Sequence, residues 1–496
     1  MTPTRVRRIH FIGIGGTGMS GLAEVLLRMD YLVSGSDLSR TEVTDRLAAL
    51  GAIVHIGHSA AHVERADLVV VSSAIGRGNP EVRSARRRGL PTLKRGEMLA
   101  EIMRLHHGIA VAGSHGKTTT TSLVGHLLDR AGCDPTVVVG GRLKMIGSHA
   151  RMGQGRYLVA EADESDGSFL NLSPTVAVVT NIDREHLDHY RDLHAIQKAF
   201  LTFMRNIPFY GLAVVCGDDP NVRLLLPHMR KRVLTYGFGP DNHLRALDLR
   251  SVGLEQEYVL QWQEMRLGTA RINLPGRHNA LNSLAALAVG LELGLDAGLC
   301  LRALEDFPGV GRRFEIRGEA RDVLWIDDYG HHPTEMAAVL ATARSVYDRR
   351  LVVVFQPHRY SRTGALAREF AEVLKDADVL VLADVYAAGE RPLPGVSSDL
   401  ISDGLRLVSS REIVRIKGAA EAPEAVARLL RPNDLMITLG AGDVSRWGEA
   451  ILARYASLEP GETTSPSGGN GESLDDEHGG PRRFQAPVPG TEIRLG

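Results

Sequence analysis

Apolar and polar positions along this chain alternate in two rhythms. Short runs rich in β-branched residues, Ile9 to Ile14, Tyr31 to Ser34, Ile53 to His55 and Leu68 to Ser72, predict buried strands. Between them Gly18 to Met29 and Thr41 to Leu50 carry the spacing of amphipathic helices. Strands and helices in strict alternation predict a parallel sheet covered by helices. A second series opens at Gly108 to Ala112 and continues through Thr136 to Val139, Tyr157 to Ala160, Val176 to Asn181 and Ala213 to Cys216, with a helix over Ser122 to Arg130. A third follows Pro308-Gly309-Val310-Gly311, with strands at Val323 to Ile326, Leu351 to Phe355, Val379 to Ala383 and Leu435 to Thr438. Its helices fall over Thr334 to Tyr347 and Gly364 to Asp376. The prediction is an α/β protein of three domains, residues 1–104, 105–309 and 310–458. From residue 459 the rhythm stops in a stretch of Gly, Ser, Pro and acids that cannot bury enough apolar surface to offset its ordering entropy, so 459–496 reads as a disordered tail.

At about 150 residues per domain, 496 residues agree with three domains. Lys and Arg total 58 against 59 acidic residues, a net charge of -1 that leaves no global field for a nucleic acid. Cys133, Cys216 and Cys300 are far apart and show neither disulfide nor zinc spacing, which fits a reducing cytoplasm. The basic start Met1 to Arg8 is followed by an apolar run too short for a secretory core, and nothing approaches the ~20 apolar residues of a membrane span.

Candidate chemistry sits at the strand ends. Gly13-Ile14-Gly15-Gly16-Thr17-Gly18 fits G-x-G-x-x-G between strand and helix, and Asp37 follows about 20 residues on. Gly13, Gly15, Gly16 and Gly18 let the backbone approach a diphosphate, and the helix start supplies positive charge. The motif does not choose between a dinucleotide and a nucleotide sugar. The sharper signal is Gly113-Ser114-His115-Gly116-Lys117-Thr118-Thr119-Thr120, a loop whose amides can cradle ATP phosphates while Lys117 neutralises them and Thr118 offers a hydroxyl to Mg²⁺. It departs from a literal Walker A, because the first glycine would fall at Val111. Carboxylates for a divalent cation follow in Glu161-Ala162-Asp163-Glu164-Ser165-Asp166, and histidines in Asp183-Arg184-Glu185-His186-Leu187-Asp188-His189.

These segments, with Thr180-Asn181-Ile182-Asp183 and Leu274-Pro275-Gly276-Arg277-His278-Asn279-Ala280-Leu281-Asn282, resemble the Mur ligases of peptidoglycan synthesis. Asp327-Asp328-Tyr329-Gly330-His331-His332-Pro333-Thr334-Glu335 and Gln356-Pro357-His358-Arg359-Tyr360-Ser361-Arg362-Thr363 bring the resemblance closest to the alanine-adding members, over about Arg8 to Arg454. It implies a Rossmann-like N-terminal domain binding UDP, a P-loop-type central ATPase domain and a Rossmann-like C-terminal domain admitting the amino acid. It further implies that Lys117, with Gly113, Ser114, His115, Gly116, Thr118 and Thr119, holds ATP, that Thr118, Glu161 and His186 hold Mg²⁺, and that Asn279 and Asn282 face the adenine. Arg313 and Asp328 would complete the nucleotide site, and Ser72 and Ser73 would join the glycine turn and Asp37 on the UDP side. His331, His332, Arg359 and Arg362 would form the alanine site. Family members acting on later residues carry a carbamylated lysine on the helix after His186. Here that position falls near Leu201, with Lys198 offset, and the alanine-adding members also lack it.

The implied partners are UDP-N-acetylmuramate and L-alanine, joined through an acyl phosphate made with ATP. Three rival readings are a ligase that recycles a preformed tripeptide onto UDP-N-acetylmuramate, a nicotinamide dehydrogenase resting on Gly13 to Gly18 and Asp37, and a module that binds nucleotides without turnover.

Overall fold

The computed structural model describes residues 6–72, 74–143, 148–186 and 189–459, and three sheets divide them. The expected tail beyond Glu459 and Ser73 lie outside the described residues.

The first sheet has five parallel strands in the order Ile53–Ile56, Leu32–Asp37, Arg8–Ile12, Leu68–Val71, Thr92–Lys94. Strand order reverses beside Arg8–Ile12, the place where open α/β sheets bind ligands. The turns after Arg8–Ile12 and Leu68–Val71 meet there: Gly13 has φ +82°, and a Cβ on it would stand 3.1 Å from Ser72 Cβ. Helix Thr17–Arg28 buries Met19, Leu22, Val25 and Leu26 on the sheet.

The central sheet has ten strands. Seven neighbours run parallel: Leu244–Val252, Arg232–Gly237, Leu212–Cys216, Val176–Val179, His107–Ala112, Tyr157–Glu161 and Thr136–Leu143. Ser148–Arg151 closes one edge antiparallel. The other edge is extended by a meander of Leu244–Val252, Glu255–Trp262 and Met265–Ile272 that the strand reading did not contain. Its period-two signal is present, since alternate residues from Gln256 to Leu260 turn inward. Helix Lys117–Arg130 begins five residues before the expected Ser122. Thr121 and Ser122 donate their hydroxyls to the carbonyls of Lys117 and Thr118 at 2.8 and 2.7 Å, so these weak helix formers bury their polar atoms along the helix itself.

The third sheet runs Glu315–Ala320, Val323–Asp328, Asp434–Leu439, Arg350–Phe355, Val379–Ala383, Glu412–Ile416, all parallel except the first pair. The helix expected over Gly364 to Asp376 is two helices, Tyr360–Ala365 and Ala367–Leu374, because Leu366 leaves helical geometry (φ −125°, ψ 20°) and enters the core.

Candidate active site

The phosphate loop follows the centrally placed strand His107–Ala112, and its glycines are fixed by what backs them. Gly113 has φ +142°, and a Cβ there would collide with Thr180 Oγ1. Gly116 has φ +80° and would bring a Cβ to 2.5 Å from Asn282 Oδ1. Thr180, Asn181 and Asp183 clasp the loop. Asn181 Oδ1 accepts from the His115 amide at 2.8 Å, Thr180 Oγ1 donates to the His115 carbonyl at 2.6 Å, and the Asp183 amide donates to Ser114 Oγ at 2.8 Å.

Lys117 Nζ folds over the loop, donating to the carbonyls of Gly113 and Ser114 at 2.6 and 3.1 Å and to Glu164 Oε1 at 2.6 Å. Burial opposes its charge, but Glu164, Glu185 and Glu161 outweigh burial and hold the ammonium above its ordinary pKa. Thr118 Oγ1 donates to Glu161 Oε2 at 3.0 Å. His186, at φ +56°, aims Nε2 at Glu164 Oε1, 3.3 Å away. Glu164 Oε2 is buried with no hydrogen-bond partner.

A cavity of about 990 Å³ opens between this loop and the third domain. From the third domain Arg313, His331, Arg359 and Arg362 line it. Arg362 Nη2 pairs with Glu185 Oε1 at 2.9 Å. Burial raises and His186, His115 and Arg362 lower the Glu185 pKa, for a net value of about 2. His331 Nδ1 stands 3.0 Å from the Tyr329 carbonyl, and burial together with Arg362 lowers its pKa to about 4, so the ring is neutral at neutral pH. Arg313 faces Glu335 at 3.7 Å.

The structure separates several residues grouped by sequence. His332 turns from the cavity wall to cap helix Pro333–Val346 and to face His115, with ring centroids 4.9 Å apart. There Thr334 Oγ1 donates to Asp183 Oδ2 at 2.7 Å, and His115 lies 3.0 Å from Asp183 and 3.4 Å from Glu335, which ties the phosphate loop to the third domain. Of the two aspartates, Asp327 lines the cavity and pairs with Arg312 at 3.0 Å, whereas Asp328 accepts from the amides of Phe314 and Gly330 at 2.7 Å each. Burial raises the Asp328 pKa to about 6. Asn279 and Asn282 are buried behind the loop: Asn282 accepts from Thr120 Oγ1 at 3.2 Å and donates to Asn279 Oδ1 at 3.1 Å. Lys198 is exposed on helix Leu193–Arg205. In the first domain the Gly15 amide donates to Asp37 Oδ2 at 2.8 Å, and Gly13, Gly15, Gly16 and Gly18 stand outside the cavity lining. Glu164, Glu185, Arg312 and Glu335 were not among the expected site residues. Glu164 stands inside the carboxylate run and Glu185 inside the histidine-bearing segment read from sequence, but nothing linear shows that they face a lysine and an arginine.

Comparison with known families decides what this assembly is. The Mur ligase family catalytic domain matches residues 8–107, the Mur ligase middle domain 111–290, and the Mur ligase glutamate ligase domain 312–442. The chain belongs to the Mur ligase family. The UDP-N-acetylmuramate–L-alanine ligase of Nitratidesulfovibrio vulgaris (strain DP4) is 53% identical over 450 residues, covering 90% of this chain and 99% of that protein. The enzyme of the same name from Geotalea daltonii is 50% identical over 450 residues, covering 91% and 98%. The crystal structure of the UDP-N-acetylmuramate-alanine ligase of Thermotoga maritima matches with a TM-score of 0.76 at 31% identity, covering 91% of this chain and 99% of that one. A murein peptide ligase from Psychrobacter arcticus shares the fold, with a TM-score of 0.69 at 24% identity. The expected three-domain α/β architecture is thereby borne out. As a Mur ligase the chain is an ATP-dependent enzyme, and the dehydrogenase and non-catalytic readings fall away. Among the described residues no helix is long and apolar enough to cross a membrane.

Proposed function

We propose that this Mur ligase joins L-alanine to the carboxylate of UDP-N-acetylmuramate, with ATP cleaved to ADP, in the cytoplasmic synthesis of peptidoglycan precursors. The observation that carries the reading is one cavity in which a phosphate loop with its lysine meets arginines and a neutral histidine from a separate domain. The UDP diphosphate lies on the glycine turn Gly13 to Gly18, against the start of helix Thr17–Arg28, whose positive end suits it.

A carboxylate is a poor electrophile, so it first attacks the γ-phosphoryl of ATP and becomes an acyl phosphate. Lys117, already protonated and aimed across the loop, offsets the charge that builds on the transferring group. Thr118, Glu161, Glu164 and His186 suit a hard divalent cation, and the orphaned Glu164 Oε2 leaves a carboxylate oxygen for it. Mg²⁺ held there supplies further charge neutralisation of the phosphates. The alanine carboxylate is gripped by Arg359 and Arg362. The amine must arrive neutral. With Nδ1 donating to the Tyr329 carbonyl, His331 keeps a lone pair on Nε2 toward the cavity. The contacts of Thr334 and His115 with Asp183, and of Arg362 with Glu185, close the third domain over the loop and exclude water from the acyl phosphate.

ADP release with UDP-N-acetylmuramate, varying only the amine, tests the reading. L-Alanine should support turnover, glycine and serine should be slower by the ~1–3 kcal/mol of one small group, and a tripeptide should be excluded. Without amine, positional isotope exchange in ATP should report the acyl phosphate. Efficient use of a tripeptide would move the assignment to a recycling ligase.

A further inference from the structure

One cation of the N-terminal domain reaches the carboxylate run of the central domain. Arg95 opens helix Arg95–Met103, and its Nη2 donates to Asp163 Oδ2 at 2.7 Å. The same side chain lies over the first turn of helix Thr17–Arg28. A Cβ built on Gly18 would stand 2.7 Å from Arg95 Cδ, 3.1 Å from Nη1 and 3.2 Å from Nε. Free backbone N–H groups make a helix start electropositive and favour anions, so a guanidinium is of the wrong sign for this place. The helix has no acidic residue in its first turn, and Gly16 supplies no side-chain cap. Asp163 offsets the guanidinium on one side only, while its Nη1 and Nε edge lies against the positive end of the helix, and an anion between that edge and the glycine turn relieves both.

Asp163 links that arginine to the ATP side. It stands between Glu161, which takes the Thr118 hydroxyl, and Glu164, which takes Lys117. Its Oδ1 accepts from the amide and hydroxyl of Ser165 at 3.0 and 2.6 Å, so Oδ2 is left for Arg95. The two elements are also pressed together, since a Cβ on Gly96 would stand 2.5 Å from Ser168 Cβ in the segment after the acidic run.

We propose that Arg95 is a positioning residue that pairs with the diphosphate of the sugar nucleotide at the glycine turn and, through Asp163, carries the occupancy of that turn to the segment holding Lys117 and Thr118. The inference rests on the diphosphate lying at Gly13 to Gly18, as in the function proposed above.

The test is titration calorimetry on the full chain, with UDP-N-acetylmuramate and the magnesium salt of a non-hydrolysable ATP analogue, each alone and then together. In the native protein each ligand should tighten the other at least about fivefold. Arg95→Ala should weaken UDP-N-acetylmuramate at least about tenfold while changing the analogue alone less than about threefold, and Arg95→Lys should restore part of the loss. Asp163→Asn should leave UDP-N-acetylmuramate alone within about threefold and bring the mutual tightening toward unity. Undiminished sugar-nucleotide binding by Arg95→Ala overturns the proposal, as does retained coupling in Asp163→Asn. Equal weakening of both ligands with a lowered thermal midpoint shows the pair to be merely structural and also overturns it. Failure of the native protein to bind UDP-N-acetylmuramate at all removes the proposed function and this inference together, and is told apart by the native titration.

Discussion

The glycine turns Gly13 to Gly18 and Gly113 to Thr120 each join a strand to a helix, and they differ in what fills them. Around Gly13 to Gly18 the turn presents backbone, Gly16 has no capping side chain, and the nearest acid, Asp37, accepts the Gly15 amide. Around Gly113 to Thr120 the turn carries its own cation, folded onto two loop carbonyls and a glutamate, with further carboxylates one strand away. Backbone donors, with an arginine already held by Asp163, bind a polyanion equally before and after reaction. An ammonium set among acids at the phosphate loop meets charge where it builds on the transferring group, which is what a transition state requires. The first turn is built to hold and the second to react.

Substitutions sharpen that contrast. Lys117→Ala should lose at least ~100-fold in turnover, measured as ADP release at saturating substrates, whereas a near-normal rate would erase the distinction. Gly15→Asp places a second carboxylate where a Cβ would already lie 2.9 Å from Asp37 Oδ2, and should raise the KM for UDP-N-acetylmuramate at least about tenfold with a much smaller rise for ATP. An equal rise for both would break the assignment of the two turns. Arg359→Ala should raise the alanine KM by about tenfold and leave isotope exchange in ATP largely intact. Arg362→Ala also strips Glu185 of its 2.9 Å partner and should lower turnover as well.

The smallest effect is on stability. An unfolded histidine titrates near 6.5, and folded His331 near 4, lowered by burial and by Arg362. Its contribution is present above pH 6.5 and is lost as pH falls through about 4, because the folded form resists the proton that the unfolded chain takes up. His331→Gln should flatten the fall of the unfolding free energy, measured by urea titration, between about pH 6.5 and 4, by at most ~1.4 kcal/mol per pH unit. An unchanged slope would show that other groups govern it.

Strands buried on both faces were legible because their apolar runs are continuous; Val379–Ala383 has the bounds its pattern predicts. The phosphate loop was legible because glycines at positive φ and a lysine must lie close together in sequence. Neighbours in a turn were not. His331 and His332, like Asp327 and Asp328, part to opposite sides, and a linear motif carries no sign of which one faces the cavity. Pairings across domains were equally hidden, since Arg362 and Glu185 are 177 residues apart and Arg95 and Asp163 are 68 apart. Such pairs are specified by the docking of whole sheets, to which a local pattern gives no access.

The asparagine behind the phosphate loop has a consequence for how the chain is made. Thr120 and Asn282 are hydrogen-bonded across 162 positions, and Gly116 packs on the same amide. During synthesis the loop emerges early, yet the side chain that backs it leaves the ribosome only after all ten strands of the central sheet have appeared. The enzyme's most chemically committed segment is thus among the last parts of its domain to be finished, and a chain released before residue 282 would carry a phosphate loop without its backing.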